Sequence, residues 1–247
     1  MDLEIAGRRA LVCGASTGLG FACARALCAE GAHVTLVSRD ENKLRLAAEI
    51  LSASPNQGVE WLAADLSRPD ERSAVLESSP IVDILVTNAG GPPAIPYPDI
   101  NIALWHRALE LNFLSAVDLI QGVLPGMIER RFGRIVNVTS VAVKKPVEHL
   151  ELSTASRMAL TGYVASVSRQ VAKFNVTINN LLPGTIFTNR LRELGPVAEK
   201  MIEEVPAGRA GTPEEFGAAC AFLCGSSVSF LVGQNLVIDG GLNRSTL

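Results

Sequence analysis

No C-x-x-C pair, no metal-ligand spacing and no run of basic residues occurs in this chain of 247 residues. The five cysteines, Cys13, Cys23, Cys28, Cys220 and Cys224, lie in apolar segments. An odd count without a framework fits reduced thiols and a cytoplasmic setting. The histidines His33, His106 and His149 are scattered, so no metal centre is expected. Lysine and arginine number 22 against 25 acidic residues, a formal net charge of −3. That balance excludes a basic nucleic-acid surface, and nothing polybasic points to a membrane. A charged leader followed by a signal-type apolar run is also missing, and no export is expected. One uncharged stretch, Phe216 to Ile238, has the length of a membrane span. Gly225, Ser226, Ser227, Gly233, Gln234 and Asn235 break it, so a buried helix followed by an edge strand is expected instead.

What is present is a hydrophobic content of 48%, enough for one sizeable core. Short β-rich runs alternate with helical ones. Strands are expected at RRALVCG, HVTLVS, VEWLAAD, VDILVTN, GRIVNVTS, NVTINNLLPG and NLVIDGG. Between them lie helical stretches, among them one over 40–53 opened by Asp40 as N-cap and one from Ile102 to Arg130. Such alternation means βαβ units and a parallel sheet covered on both faces. One α/β domain over residues 1–247 is expected, doubly wound around seven parallel strands. The loosest segment, 184–212, follows the sixth strand and is a candidate lid over the binding crevice.

The segment CGASTGLG joins the first strand to a helix. Gly14, Gly18 and Gly20 would let the backbone approach a pyrophosphate, and the helix N-terminus would supply N–H groups and a positive dipole end. Further along stand Asp65 in AADL, Asn88 in TNAG, Asn112 in ELNF, Ser140 in VNVTS, and Pro183 and Gly184 in NNLLPGTIFT. In this order, over nearly the whole chain, the sequence resembles the short-chain dehydrogenase/reductase family, of the 3-oxoacyl-(acyl carrier protein) reductase type.

The resemblance implies a Rossmann-type fold and a nicotinamide cofactor. Gly14, Ser16, Thr17, Gly18, Leu19 and Gly20 would bind its phosphates. Asp65, with Leu66 beside it, would meet the adenine; Asn88, Ala89 and Gly90 would line the ribose side. Ile186 and Thr188, after Pro183 and Gly184, would face the nicotinamide carboxamide. Cofactor choice follows from the end of the second strand, where an NAD enzyme carries an acidic residue. Here Ser38 and Arg39 stand instead, and an arginine binds a 2′-phosphate with charge-assisted hydrogen bonds. NADP is therefore favoured, with NAD the alternative. The resemblance also implies a homotetramer and a small carbonyl or acyl substrate.

The catalytic positions depart from the pattern. The family's tyrosine falls thirteen residues after the active-site serine, and its lysine four later. From Ser140 those positions are Ser153 and Arg157. An alkyl hydroxyl is shorter and far less acidic than a phenol, and an arginine of ordinary pKa does not shuttle protons. Asn112 and Ser140 are expected to position the substrate oxygen, Arg157 the ribose, and Ser153 a water. Tyr163 lies ten residues past Ser153, about 15 Å along a helix, too far to substitute. His149, Tyr97, Glu148 and Glu151 remain as replacement acids, and Lys144 and Lys145 as solvent-facing or substrate-steering charges. Two functions follow: an atypical oxidoreductase interconverting carbonyl and alcohol, or a catalytically silent dinucleotide-binding sensor or assembly subunit.

Overall fold

The computed structural model describes residues 2–52 and 58–245. Ala53, the last residue of the helix expected over 40–53, lies outside the described residues, as do residues 1 and 246–247 of the expected domain. In chain order the elements are β1 (Arg9–Cys13), α1 (Gly18–Ala29), β2 (His33–Ser38), α2 (Glu41–Ser52), β3 (Val59–Ala63), α3 (Pro69–Ser78), β4 (Ile84–Thr87), α4 (Ile102–Leu109), α5 (Ser115–Glu129), β5 (Gly133–Val138), α6 (Glu151–Val171), β6 (Val176–Pro183), α7 (Asn189–Arg192), α8 (Pro196–Glu203), α9 (Pro213–Cys224) and β7 (Asn235–Ile238).

All seven expected strands form one parallel sheet in the order β3-β2-β1-β4-β5-β6-β7. Successive side chains of a strand point to opposite faces. Ala10 and Val12 join one core with α1, α2 and α9, while Leu11 and Cys13 join the other with α3, α5 and α6. The chain order reverses between β1 and β4, and the crevice at that switch point opens at the carboxyl ends of the strands.

The register of four strands is pinned by a polar ladder, buried at Thr87, Asn137 and Asn180 and exposed at Asn235. Thr87 Oγ1 and Asn137 Oδ1 share a hydrogen bond of 2.7 Å, Asn137 Nδ2 donates to Asn180 Oδ1 at 3.1 Å, and Asn180 Nδ2 to Asn235 Oδ1 at 2.8 Å. Each pair is a direct register partner across β4, β5, β6 and β7. A one-residue slip would orphan these buried amides and turn every side chain to the wrong face. The ladder thereby holds the ends of β4, β5 and β6, where the candidate site lies, in fixed relation.

Helix starts follow local chemistry. Asp40 accepts from the Lys43 amide at 3.0 Å, Asn101 from the Leu104 amide at 3.1 Å, and Thr212 forms a capping box with Glu215. Two features differ from the sequence-based expectation. The long helix Ile102–Glu129 contains a wider π-type turn over Glu110–Leu114, centred on Asn112. The segment 184–212 is not loose: it holds α7 and α8, the latter opened by Pro196 at its first turn. The stretch 216–238 is α9, a short turn and the edge strand β7, as expected; among the described residues the helix long and apolar enough to cross a membrane is Ile102–Glu129. Leu119, Ile120, Val123 and Met127 bury one side of that long helix against the sheet.

Candidate active site

The first half of the site lies at the ends of β1, β2 and β3. Gly14 and Gly18 both have left-handed φ, +58° and +62°, which only glycine adopts without strain. Gly20 packs α1 onto β1 so closely that a Cβ there would stand 2.2 Å from Gly14 O. Thr17 precedes α1 without any side-chain cap, so the first N–H groups of a twelve-residue helix are left for another acceptor. Asn88 Nδ2 donates to Gly14 O at 3.4 Å, and Thr188 lies against Gly18, so β4 and β6 both reach this loop. Beside Gly90 there is open space. These features fit a dinucleotide.

At the end of β2, Ser38 Oγ and Ser16 Oγ share a hydrogen bond of 3.0 Å. Arg39 is exposed, and Asp40 is engaged in capping α2. Asp40, the acidic residue nearest in sequence, is thus turned to the start of α2 rather than offered beside Ser38. Asp65 Oδ1 accepts from the Ser67 amide and hydroxyl at 3.0 and 2.8 Å, leaving Oδ2 without a partner among the described residues. Burial pulls the Asp65 carboxyl upward, but the Ser67 donors, with Arg39 and Arg68 nearby, hold it below the usual carboxylate range. Leu66 is buried beneath it. Gly184 admits Asp239 at a distance no side chain would allow, 2.5 Å from a Cβ. Pro183 ends β6, and Ile186 is buried with its side chain toward Gly211.

The second half lies at the ends of β4, β5 and β6. Arg157 is 8% exposed. Its Nε donates to Ser153 Oγ at 3.2 Å, Nη1 to Val138 O and Thr139 O at 2.8 and 2.9 Å, and Nη2 to Ala89 O at 3.3 Å. One guanidinium thus ties α6 to the two residues before Ser140 and to the loop after β4. Burial pushes its pKa down to about 10, and the nearby charge of Arg190 adds to the shift. The ordinary pKa expected from sequence is corrected here, although Arg157 remains protonated at neutral pH. Ser140 Oγ accepts from the Ala142 amide at 3.1 Å.

Asn112 donates to Ala108 O at 3.3 Å within the π-type turn, while its Oδ1 is buried without a partner. It lines a cavity with Asn88, Ser115 and Arg157 whose space open to water centres is about 20 Å³, room for one water.

The candidate replacement acids are not gathered here. Tyr163 bonds Gln121, and burial raises its phenol further from neutrality. Tyr97 is 76% exposed, and Glu148 and His149 are also exposed. His149 uses its backbone, accepting from the Ile95 amide at 3.0 Å. Glu151 has a buried, unpartnered Oε2, but it is two residues from Ser153 and so faces another side of α6. Lys145 pairs with Glu204 at 3.8 Å, linking the loop after β5 to the end of α8.

Arg190 was not singled out from the sequence. It reaches from α7 across to the loop after β4, with Nη2 donating to Pro92 O at 3.4 Å. Its only local sign is an arginine two residues after Thr188.

Comparison with known proteins finds relatives along nearly the whole chain. A family model described as enoyl-(acyl carrier protein) reductase matches residues 14–243. Nodulation protein G of Rhizobium sp. (strain N33) is 34% identical over 97% of this chain and 98% of its own. The 3-oxoacyl-(acyl-carrier-protein) reductase of Vibrio cholerae is 32% identical over 98% and 99%. Among solved structures, the L-sorbose reductase of Gluconobacter frateurii, complexed with NADPH and L-sorbose, superposes with a TM-score of 0.93 at 30% identity, covering 99% of this chain and 100% of that one. The chain belongs to the short-chain dehydrogenase/reductase family.

Proposed function

We propose that this chain interconverts a carbonyl and an alcohol with NADP, at a site where Ser153 and Arg157 stand in place of the family's tyrosine and lysine. It is an oxidoreductase of the short-chain family. The observation that carries the cofactor reading is the uncapped start of α1 under Gly14 and Gly18. The solved relative with NADPH supports it. Arg39 beside Ser38 favours NADP over NAD, since an arginine offers two donors to a 2′-phosphate.

The chemistry drawn from the cofactor, when bound, is hydride transfer. The N–H groups of Gly18, Leu19 and Gly20, with Ser16 and Thr17, would hold its phosphates. Asp65 and Leu66 would take the adenine, Asn88, Ala89 and Gly90 the ribose side, and Pro183, Gly184, Ile186 and Thr188 the nicotinamide side. Ser140 and Ser153 each accept a hydrogen bond from an N–H group. Arginine has no acceptor, so each hydroxyl keeps its own proton to donate elsewhere. Ser140 would hold and polarise a substrate oxygen, Ser153 would position a water beside it, and protonated Arg157 behind Ser153 would stabilise charge developing there. Neither serine is a strong acid, so a water would deliver the proton. Asn112 would hold that water chain from below.

A second reading, dinucleotide binding without turnover, is favoured by one observation: Tyr163, Tyr97 and His149 all lie away from Ser153 or face solvent. Fluorescence titration with NADPH and NADH, followed by NADPH oxidation on 3-oxoacyl and small ketone substrates, separates the two. Binding with turnover supports the enzyme, binding alone the silent protein, and no binding refutes both.

The segment 184–212 would act as the lid, anchored at its far end by Arg209 and Glu215, whose carboxyl the guanidinium holds at about 2. A homotetramer in a cytoplasmic setting completes the reading. Ile102, Leu114 and Met158 on one side, and fully exposed Phe230 with Phe222 and Leu231 on another, are apolar surfaces that a partner copy would cover. A light-scattering mass near 26.2 kDa would contradict it.

A further inference from the structure

We infer that the cleft takes an anionic substrate, an organic carboxylate with an apolar body, whose charged group is received by Arg190 above Arg157; this rests on reading the cleft as the substrate site. The charges are the starting point. Arg190 is near enough to Arg157 to depress its pKa, so the two guanidinium groups repel. Neither forms an ion pair with a carboxylate among the described residues. Arg72, equally buried, is treated differently: Glu110 and Asp118 flank it at 2.8 and 2.6 Å. Arg134 shows that carbonyls and an aromatic ring can hold a buried guanidinium without a carboxylate. Arg157 by itself would therefore carry nothing.

The second observation is where Arg190 lies. It starts after β6 and ends at the loop after β4, so it crosses the end of β5, the strand that leads to Ser140. Gly91 makes room for it, since a Cβ there would stand 2.8 Å from Nη1. Its one hydrogen bond is long and uses one of five donors. An extended guanidinium over a catalytic strand end, with donors left over and a second cation beneath, is complementary to a carboxylate, which it can bind through two parallel bonds. The bound anion would also relieve the repulsion between the two arginines. The same segment exposes Phe187, Leu194, Val197 and Met201, apolar side chains available to the remainder of the ligand.

The test uses the folded protein saturated with NADP⁺ and, in parallel, without it. Each is titrated calorimetrically with 4-phenyl-2-oxobutanoate and with its methyl ester, which lacks the charge. The acid should bind at least about tenfold more tightly than the ester, and Arg190→Gln should remove that preference while changing NADP⁺ affinity by less than about twofold. Arg190 is exposed, so the variant should fold normally. Equal binding of acid and ester overturns the inference. So does an Arg190→Gln variant that loses NADP⁺ affinity instead, because the arginine would then serve the cofactor's phosphates. A wild-type protein that binds no cofactor refutes the nicotinamide reading; the cofactor-free titration still decides the anion site by the same acid–ester preference.

Discussion

At the ends of β1 and β2, Gly14, Gly18, Ser16 and Ser38 form a loop with left-handed glycines, an uncapped helix start and a hydrogen bond between the two serines. At the ends of β5 and β6, Ser153 accepts from a buried Arg157, and Arg190 adds a second positive charge. The first region has left-handed glycines and uncapped helix N–H groups, which suit a dinucleotide. In the proposed reading the second lacks the family's acid, and it brings two arginines near each other. Affinity for a cofactor and proton transfer to a substrate are built from different elements, so one can stay while the other is remodelled. The polar ladder from Thr87 to Asn235 explains how: it fixes the strand ends independently of the side chains that project beyond them.

The largest expected effect comes from restoring the missing acid. The double change Ser153→Tyr with Arg157→Lys should raise NADPH turnover by up to about 10²–10⁴ if proton transfer limits the rate. Neither change alone should do so, because the phenol and ammonium act as a unit. Lysine has three donors on a flexible stem and cannot replace the bonds that Arg157 sends to Val138, Thr139 and Ala89. Ser153 is buried, so a tyrosine there should overpack its surroundings and cost about 1–3 kcal/mol of stability. Unfolding midpoints and NADPH affinity are therefore measured beside the rate. A double variant that folds, binds NADPH and gains nothing would break the comparison, since the second region would then not be limited by its acid.

Damage to the first region should act on binding instead. Gly20→Ala places a methyl group 2.2 Å from Gly14 O and must push α1 away from the loop. NADPH affinity should fall by about a hundredfold or more, with stability reduced by about 1–3 kcal/mol, as overpacking does. Calorimetric titration with a thermal melt checks both. Arg39→Ala is gentler: it should weaken NADPH by about ten- to hundredfold, the worth of charge-assisted hydrogen bonds, and leave NADH nearly unchanged. Equal losses for both cofactors would move Arg39 from the 2′-phosphate to a general role in the loop.

The sequence shows these two regions unequally. The seven strands and the glycine loop are legible because alternation and glycine spacing are local signals. The π-type turn around Asn112 is not, since the segment Ile102–Glu129 reads as one helix. Helices α7 and α8 are too short to show a period. The polar ladder is invisible from sequence because its partners lie 43 to 55 residues apart. Ser153 and Arg157 are legible only against the family spacing. Arg157's lowered pKa and its neighbour Arg190 arise from burial and from a contact across the sheet, which no local pattern carries.

The smallest expected effect is the most discriminating for Ser153. In wild type, Arg157 Nε donates to its hydroxyl, which fixes the arginine and leaves the serine proton for a substrate or water. Ser153→Ala removes one of four bonds to Arg157 and keeps the three to backbone carbonyls, so the guanidinium should stay in place. The space freed is about that of one oxygen, which a water from the cleft can fill and which reproduces the hydrogen bond at little cost. Any turnover should fall by less than about threefold, the scale of a bond that water can replace, with NADPH affinity unchanged. Steady-state kinetics with a matched titration decides it. Should activity vanish while NADPH still binds, the serine hydroxyl is itself the group that moves the proton. Ser153 and Arg157 would then be a working pair, with burial of the arginine lending acidity to its partner, and the second region would be rebuilt rather than impaired.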